Sequence, residues 1–144
     1  MRIAYLKAPD TWPLRHLVLR PHQPIEECDY PNDRNPDSFH LGAFSKNELI
    51  AIASFYKERK DGLTGWIQYR LRGMAVHPDQ RGRGVGGKLL VFGFGHLRDL
   101  KADLLWCNAR DNAKGFYLAH GMEVYGPPFT IEGIGEHHLM FRRL

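Results

Sequence analysis

A mixed α/β fold is predicted, and three observations predict it. The first half of the chain carries apolar strands joined by turns, which reads as an antiparallel block. The second half alternates strand, helix, strand, helix, strand. A basic, glycine-dense turn joins the strand ending at Val76 to the helix that starts near Val85. Hairpins followed by strand–helix–strand units build one mixed sheet with helices on its faces. At 144 residues, the chain is expected to form one domain, residues 1–144, around a single core.

Met1 to Leu6 reads as the first strand. Thr11-Trp12-Pro13 opens a helix, with Thr11 as N-cap and proline in the first turn, where its missing N–H costs little. That helix is expected to reach about Arg20. Pro21 to Ser38 holds four prolines and many polar residues, so it is loop or broken helix. Its length suggests a binding surface. Phe39 to Phe44 and Leu49 to Tyr56 are strands joined by the turn Ser45-Lys46-Asn47-Glu48. Asp61 to Gly65 is another turn, and Trp66 to Val76 a long strand.

The helix after the glycine turn runs from about Val85 to Leu100. Gly93 and Gly95 lie inside it, each costing about 1 kcal/mol against alanine. Close packing of the helix on the sheet would explain them. Asp103 to Ala109 alternates little, as a strand buried on both faces does. Asp111 or Asn112 is expected to cap a helix that runs to His120, with Gly121 ending it. Phe129 to Glu132 and Glu136 to Arg142 are closing strands.

Composition narrows the function classes. Hydrophobic residues are 43% and charged residues 25%, which is globular and not disordered. No apolar run reaches the roughly 18 residues of a membrane span. The N-terminal residues lack an apolar core of signal-peptide length. A soluble, cytoplasmic protein is expected. Cys28 and Cys107 fit reduced, buried thiols, and neither has a second cysteine at zinc-site spacing. No metal is expected. The net charge of +4 suits an anionic ligand, while scattered basic residues without a recognition motif argue against nucleic acid.

Three patterns fit the glycine turn. Gly82, Gly84 and Gly87 match G-x-G-x-x-G, with Asp103 about 20 residues on, as in dinucleotide folds. That fold needs two strand–helix–strand halves, and only 57 residues follow Gly87. Gly82 to Lys88 matches G-x-x-x-x-G-K, yet Leu89 stands where a phosphate loop needs Ser or Thr for magnesium. The third match is Arg81-Gly82-Arg83-Gly84-Val85-Gly86-Gly87-Lys88-Leu89-Leu90, preceded by Val76-His77-Pro78. With Ala113-Lys114-Gly115-Phe116-Tyr117-Leu118-Ala119-His120-Gly121-Met122, it resembles the two motifs of the GNAT N-acetyltransferase superfamily. Independently of that likeness, a strand, a glycine loop and a helix N-terminus together form a site for phosphate.

The resemblance implies a GNAT fold, a mixed central sheet of about six to seven strands flanked by helices and splayed in the middle. It implies acetyl-CoA as co-substrate. The backbone from Arg81 through Gly82, Arg83, Gly84, Val85 and Gly86 to Gly87 would cradle the CoA pyrophosphate, with Arg81, Arg83 and Lys88 adding charge. Met74, Ala75 and Val76 would pair with the pantetheine arm, and one of their N–H groups would polarise the thioester carbonyl. Tyr117 matches the tyrosine that protonates the departing thiolate. The chain departs from the family at Asn108-Ala109-Arg110, where asparagine often stands at the last position. Asn108 or Arg110 is the candidate for that pantetheine contact.

No motif fixes the general base. His137 is one candidate and His40 another, since an imidazole titrates near neutrality. Glu26, Glu27 and Asp29 are carboxylate alternatives. His137 and His138 are strand neighbours that point to opposite faces, which argues against a shared metal. Reading the whole, an N-acetyltransferase is expected, moving acetyl to a primary amine of a small molecule or a protein. Glu26, Glu27, Asp29, Asp33 and Asp37 hint at a cationic acceptor. A homodimer is compatible with the sequence. The rival readings are a noncatalytic acyl-CoA-binding module of the same fold and a basic nucleic-acid-associated protein.

Overall fold

The computed structural model describes residues 1–144. One eight-stranded mixed sheet runs in the order β1-β2-β3-β4-β5-β8-β6, with β7 paired to β8. Its strands are β1 (Arg2–Leu6), β2 (Phe39–Ser45), β3 (Glu48–Lys57), β4 (Gln68–Val76), β5 (Leu104–Arg110), β6 (Glu123–Val124), β7 (Phe129–Ile131) and β8 (Gly135–Arg143). The helices are α1 (Trp12–Leu14), α2 (Val85–Asp99) and α3 (Lys114–Ala119). Seven strands were legible as patterns. The eighth, β6, is two residues long, too short to leave an alternation. The chain divides into two compact units, Met1–Lys57 with Leu71–Gly93, and Glu58–Arg70 with Phe94–Leu144.

In the first unit, β1, β2 and β3 are antiparallel, with Leu6 opposite His40 and His40 opposite Ser54. The β2–β3 hairpin closes through Lys46 and Asn47, whose φ angles of 50° and 65° are both left-handed. That conformation matches strand twist in a two-residue loop. Leu14, Ile52 and Ala75 form a buried cluster against which Leu6, Val18, Leu19 and Leu49 pack. Burying each large aliphatic contributes about 1.5–3 kcal/mol. Gly93 of α2 lies on Phe55, where a Cβ would sit 2.5 Å from the ring's Cζ. Close packing therefore explains Gly93. Gly95 faces open space, so packing does not explain it.

The segment after β1 differs from the single helix expected there. It comprises a 3-10 turn, Ala8–Thr11, then α1, then a π turn, Arg15–Leu19. Thr11 caps nothing, because its hydroxyl donates to the Ala8 carbonyl at 2.6 Å. Asp10 serves the helix entry instead, its carboxylate accepting from the Lys7 N–H at 3.0 Å. Pro21 to Ser38 contains two 3-10 turns, Ile25–Cys28 and Pro31–Arg34.

In the second unit, β8 pairs antiparallel with β5 from Leu104↔Arg143 to Arg110↔His137. The opening residues of β4 pair parallel with β5, from Gln68↔Leu104 to Arg70↔Trp106. Leu63, Leu104 and Trp106 form the core, with Leu139 and Phe141 against them. Asp103 binds the start of β4, accepting from the N–H groups of Trp66 at 2.7 Å and Ile67 at 2.9 Å. The helix before His120 begins with a 3-10 turn, Asp111–Ala113, and neither Asp111 nor Asn112 caps it. Asp111 accepts from His138 instead. Gly121 ends it with φ +81°.

Candidate active site

The glycine turn in the first unit is built by two local devices. Pro78–Gln80 forms a 3-10 turn, tied by the Asp79 N–H donating to His77 Nδ1 at 3.1 Å. The His77 N–H donates to the Ile50 carbonyl at 2.7 Å and fixes the end of β4 to β3. Gly82 and Gly84 then take φ angles of +77° and +74°, and a Cβ at either would meet nothing. Open space shows that conformation, not crowding, requires glycine there. The first intrahelical bond of α2 runs from the Lys88 N–H to the Gly84 carbonyl at 3.1 Å. The N–H groups of Gly84, Val85, Gly86 and Gly87 therefore lack helical acceptors. Val85 is buried and anchors the turn, while Arg81, Arg83 and Lys88 are exposed. Open amides at the positive end of a fifteen-residue helix have the geometry that suits an anion.

The strand leading into the turn bends at Gly73, whose φ is +64°. A left-handed glycine inside a strand marks a bulge or bend. Ala75 points into the core, and Met74 and Val76 are half-buried. A Cβ on Gly73 would sit 3.5 Å from both Arg15 Nε and the Tyr30 ring.

Beneath that bend lies a buried polar network. Arg15 is fully buried and donates to the Asp33 carboxylate through both terminal nitrogens, at 2.7 Å and 3.1 Å. It also donates to the Cys28 carbonyl at 2.8 Å, Ser54 at 2.9 Å and Tyr56 at 3.1 Å. The Tyr56 hydroxyl donates to Asp33 at 2.5 Å. The guanidinium groups of Arg15 and Arg72 lie over the Tyr30 ring, 4.1 Å and 4.2 Å from its centroid. His40 Nδ1 meets the Ser54 hydroxyl at 2.7 Å, and its Nε2 is 3.7 Å from Asp33. Burial holds the His40 pKa below the ordinary imidazole range, against the pull of Asp33. Burial alone would raise the Asp33 carboxyl, but hydrogen bonds from Arg15 and Tyr56 hold it below the usual range.

In the second unit, Tyr117 projects from α3 and is buried. Burial, with Cys107 as neighbour, pushes its phenol far above the ordinary tyrosine range. The Cys107 thiol is itself raised to about 12 by burial. His137 is buried, its Nδ1 donating to the Gly135 carbonyl at 2.8 Å, which leaves Nε2 as the basic nitrogen. The Phe129 ring stacks on it at 5.8 Å. Both thiols are free.

The chain has relatives among known proteins. A family profile described as "Acetyltransferase (GNAT) family" matches residues 6–122. The chain belongs to the GNAT acetyltransferase family. It is 40% identical over 144 residues to a Bacillus subtilis (strain 168) protein named "Uncharacterized N-acetyltransferase YitI", covering all of this chain and 97% of that one. Among solved structures, Escherichia coli ElaA matches with a TM-score of 0.76 at 19% identity, over 98% of both chains. An aminoglycoside 6'-N-acetyltransferase complexed with coenzyme A matches at 0.79 and 14% identity, over 99% of this chain and 97% of that one. The GNAT fold and an acyltransferase activity of the N-acetyltransferase type follow.

The GNAT motifs left several residues unread. Asn108 lies beside Cys107 on β5, so their side chains leave opposite faces of the strand. Asn108 lines a pocket of about 300 Å³ with Lys60, Tyr125, Pro127, Phe129 and Leu139. Arg110 is exposed, just after the strand's buried stretch. His138 faces away from His137 and donates through Nε2 to Asp111 at 2.7 Å. Asp111, Glu136 and His138 bring one ligand atom each within 4.8 Å of one another, on an exposed edge. Arg15, Ser54 and Tyr56 were also missed, and Asp33 was read only as one acid in a run that hinted at a cationic acceptor. The one signal for them was a run of acids in Pro21 to Ser38, and it was ambiguous. Asp33 is consumed by Arg15, and Asp29 pairs with Arg34 at 2.8 Å.

Proposed function

We propose that this GNAT protein transfers the acetyl group of acetyl-CoA to a primary amine by direct attack, with residues 1–144 acting as one catalytic domain in the cytoplasm. The observation that carries this is the cradle from Arg81 to Gly87, with two left-handed glycines and unbonded N–H groups at the head of α2. The CoA diphosphate would rest on those amides, with Arg81, Arg83 and Lys88 adding charge. The backbone of Met74, Ala75 and Val76 would pair with the pantetheine arm, and one of their N–H groups would stabilise the oxyanion. Arg110 would complete the grip on that arm, since Asn108 opens into a separate pocket.

The amine nitrogen attacks the thioester carbonyl and a tetrahedral intermediate forms. Its collapse breaks the C–S bond and releases CoA thiolate. The amine's proton passes to His137 Nε2. Tyr117 donates a hydrogen bond to the leaving sulfur. Full proton transfer from a phenol raised far above 10 to a thiolate near 8.5 is uphill, so the contribution is that of a hydrogen bond, about tenfold in rate. A Cys107 acyl carrier is disfavoured by its burial, which keeps it a neutral thiol.

The test is calorimetry of acetyl-CoA binding beside CoA release across an amine panel. Binding in the micromolar range and turnover of at least one amine are expected. Tyr117→Phe should lower kcat about tenfold with acetyl-CoA affinity unchanged. Absence of acetyl-CoA uptake would overturn the reading. Binding without turnover of any amine would favour a noncatalytic acyl-CoA module.

A further inference from the structure

The pocket on the Asn108 face of β5 has a composition that selects a ligand. Its walls are Tyr125, Pro127, Phe129 and Leu139, and it is about 300 Å³. Tyr125 and Phe129 remain 44% and 36% exposed, so aromatic surface lines its mouth. Two polar groups enter it. The Asn108 amide is half-buried and has no side-chain partner in the protein. Lys60 is half-buried and its ammonium forms no ion pair with a carboxylate; it lies over the neutral Trp106 ring, 5.7 Å from the centroid. Apolar walls with a few placed polar groups are the usual make-up of a small-molecule site.

The charge of this pocket is positive. A polyamine or an aminoglycoside entering it would bring further ammonium groups to Lys60 with no acid in the lining to receive them. The acids that hinted at a cationic acceptor are partly spent, Asp33 on Arg15 and Asp29 on Arg34. An unpaired cation beside an aromatic wall fits an anionic group attached to an apolar body, with the amide of Asn108 as a further hydrogen-bond partner. Such a site discriminates by attraction for one ligand and repulsion of the other.

We infer that the pocket between Lys60, Asn108, Tyr125, Phe129 and Leu139 receives the non-reacting end of the acceptor, and that the acceptor is an amine bearing an apolar or aromatic group and a carboxylate. This rests on the N-acetyltransferase reading above and names its substrate class. Asn108 leaves β5 on the face opposite Cys107, the neighbour of Tyr117. Acceptor and leaving-group partner thus approach from the two sides of one strand. Lys60 is a binding residue in this assignment and takes no part in the bond changes.

The test uses 3-phenylpropionate, which carries the ring and the carboxylate but no amine, titrated into the full chain saturated with CoA. The readout is the ring resonances of Tyr125 and Phe129. Saturable shifts are expected, with affinity at least fivefold lower in Lys60→Glu and intermediate in Lys60→Met, which keeps the stem over Trp106. Phenylalanine should be acetylated with a KM at least fivefold below that of phenethylamine, and Lys60→Glu should erase that difference while the KM for acetyl-CoA stays constant. No shift with 3-phenylpropionate, equal affinity in Lys60→Glu, or spermidine moving the same rings as strongly would overturn the inference. Acetyl-CoA titrated into CoA-free protein of each variant separates the two failures. Loss of that binding sinks the acetyltransferase reading, whereas intact binding with an unoccupied pocket sinks the acceptor assignment alone.

Discussion

Arg15 and Arg83 are the same side chain in the same compact unit, and the fold uses them in opposite ways. Arg15 is fully buried, and its terminal nitrogens are bonded to a carboxylate, a carbonyl and two hydroxyls. Arg83 stands exposed in a turn whose glycines hold the backbone open. The first charge is spent on tying Cys28, Asp33, Ser54 and Tyr56 together under Gly73. The second is free for a ligand. Burial, and not residue type, decides whether a cation belongs to the fold or to the chemistry.

The largest expected effect breaks the buried side of that comparison. Arg15→Met should destabilise by about 3–5 kcal/mol in urea denaturation, since it strands the Asp33 carboxylate without its partner. The double variant Arg15→Met, Asp33→Leu should recover part of that loss, because no buried charge is then left unpaired. No recovery in the double variant would mean that the hydroxyls of Ser54 and Tyr56, and not the charge, dominate.

A steric contrast within α2 comes next. Gly93→Ala should cost about 1–3 kcal/mol, because its Cβ meets Phe55 at 2.5 Å. Gly95→Ala should stabilise by up to about 1 kcal/mol, because its Cβ meets nothing. Thermal melts of the two variants check both signs.

The exposed side of the comparison predicts the reverse split. Arg83→Ala should leave stability within about 0.5 kcal/mol of the parent. Its acetyl-CoA affinity should fall by about 1 kcal/mol, and that loss should shrink in high salt. Calorimetry at two salt concentrations measures it.

The smallest effect is a pH dependence. His40 and Asp33 both have folded pKa values below their unfolded ones. The unfolded chain therefore takes up each proton first as pH falls. Their stabilisation is present at neutral pH and is lost on acidification, for His40 from about pH 6.5 downward and for Asp33 from about pH 3.9 downward. The urea midpoint should drop between pH 7.5 and pH 5.5, and His40→Gln should flatten that drop.

Much of this molecule was legible because its signals are local. Val76 to Leu90 shows strand, glycine turn and helix within fifteen residues, and Lys46-Asn47 shows a hairpin within two. Gly121 announces the end of its helix in the same way. The Arg15 network was illegible because its partners lie 13, 18, 39 and 41 residues away. No periodicity links positions so far apart. Thr11 and Asp111 carry good capping chemistry, yet one bonds backward to Ala8 and the other to His138, and only tertiary placement decides that. The pocket around Lys60 escaped for the same reason. Its six named walls come from a loop, three strands and the connection between β6 and β7.

One feature of that pocket makes it visible to light. Lys60 and Arg70 both place their cations over the Trp106 indole, at 5.7 Å and 5.1 Å, while Trp66 is 92% exposed. An occupant that draws the ammonium away changes the field on a buried indole, and the emission of Trp106 shifts with it. In a Trp12→Phe, Trp66→Phe background Trp106 is the one indole left of the three, and the protein carries its own fluorescent gauge of what Lys60 is holding.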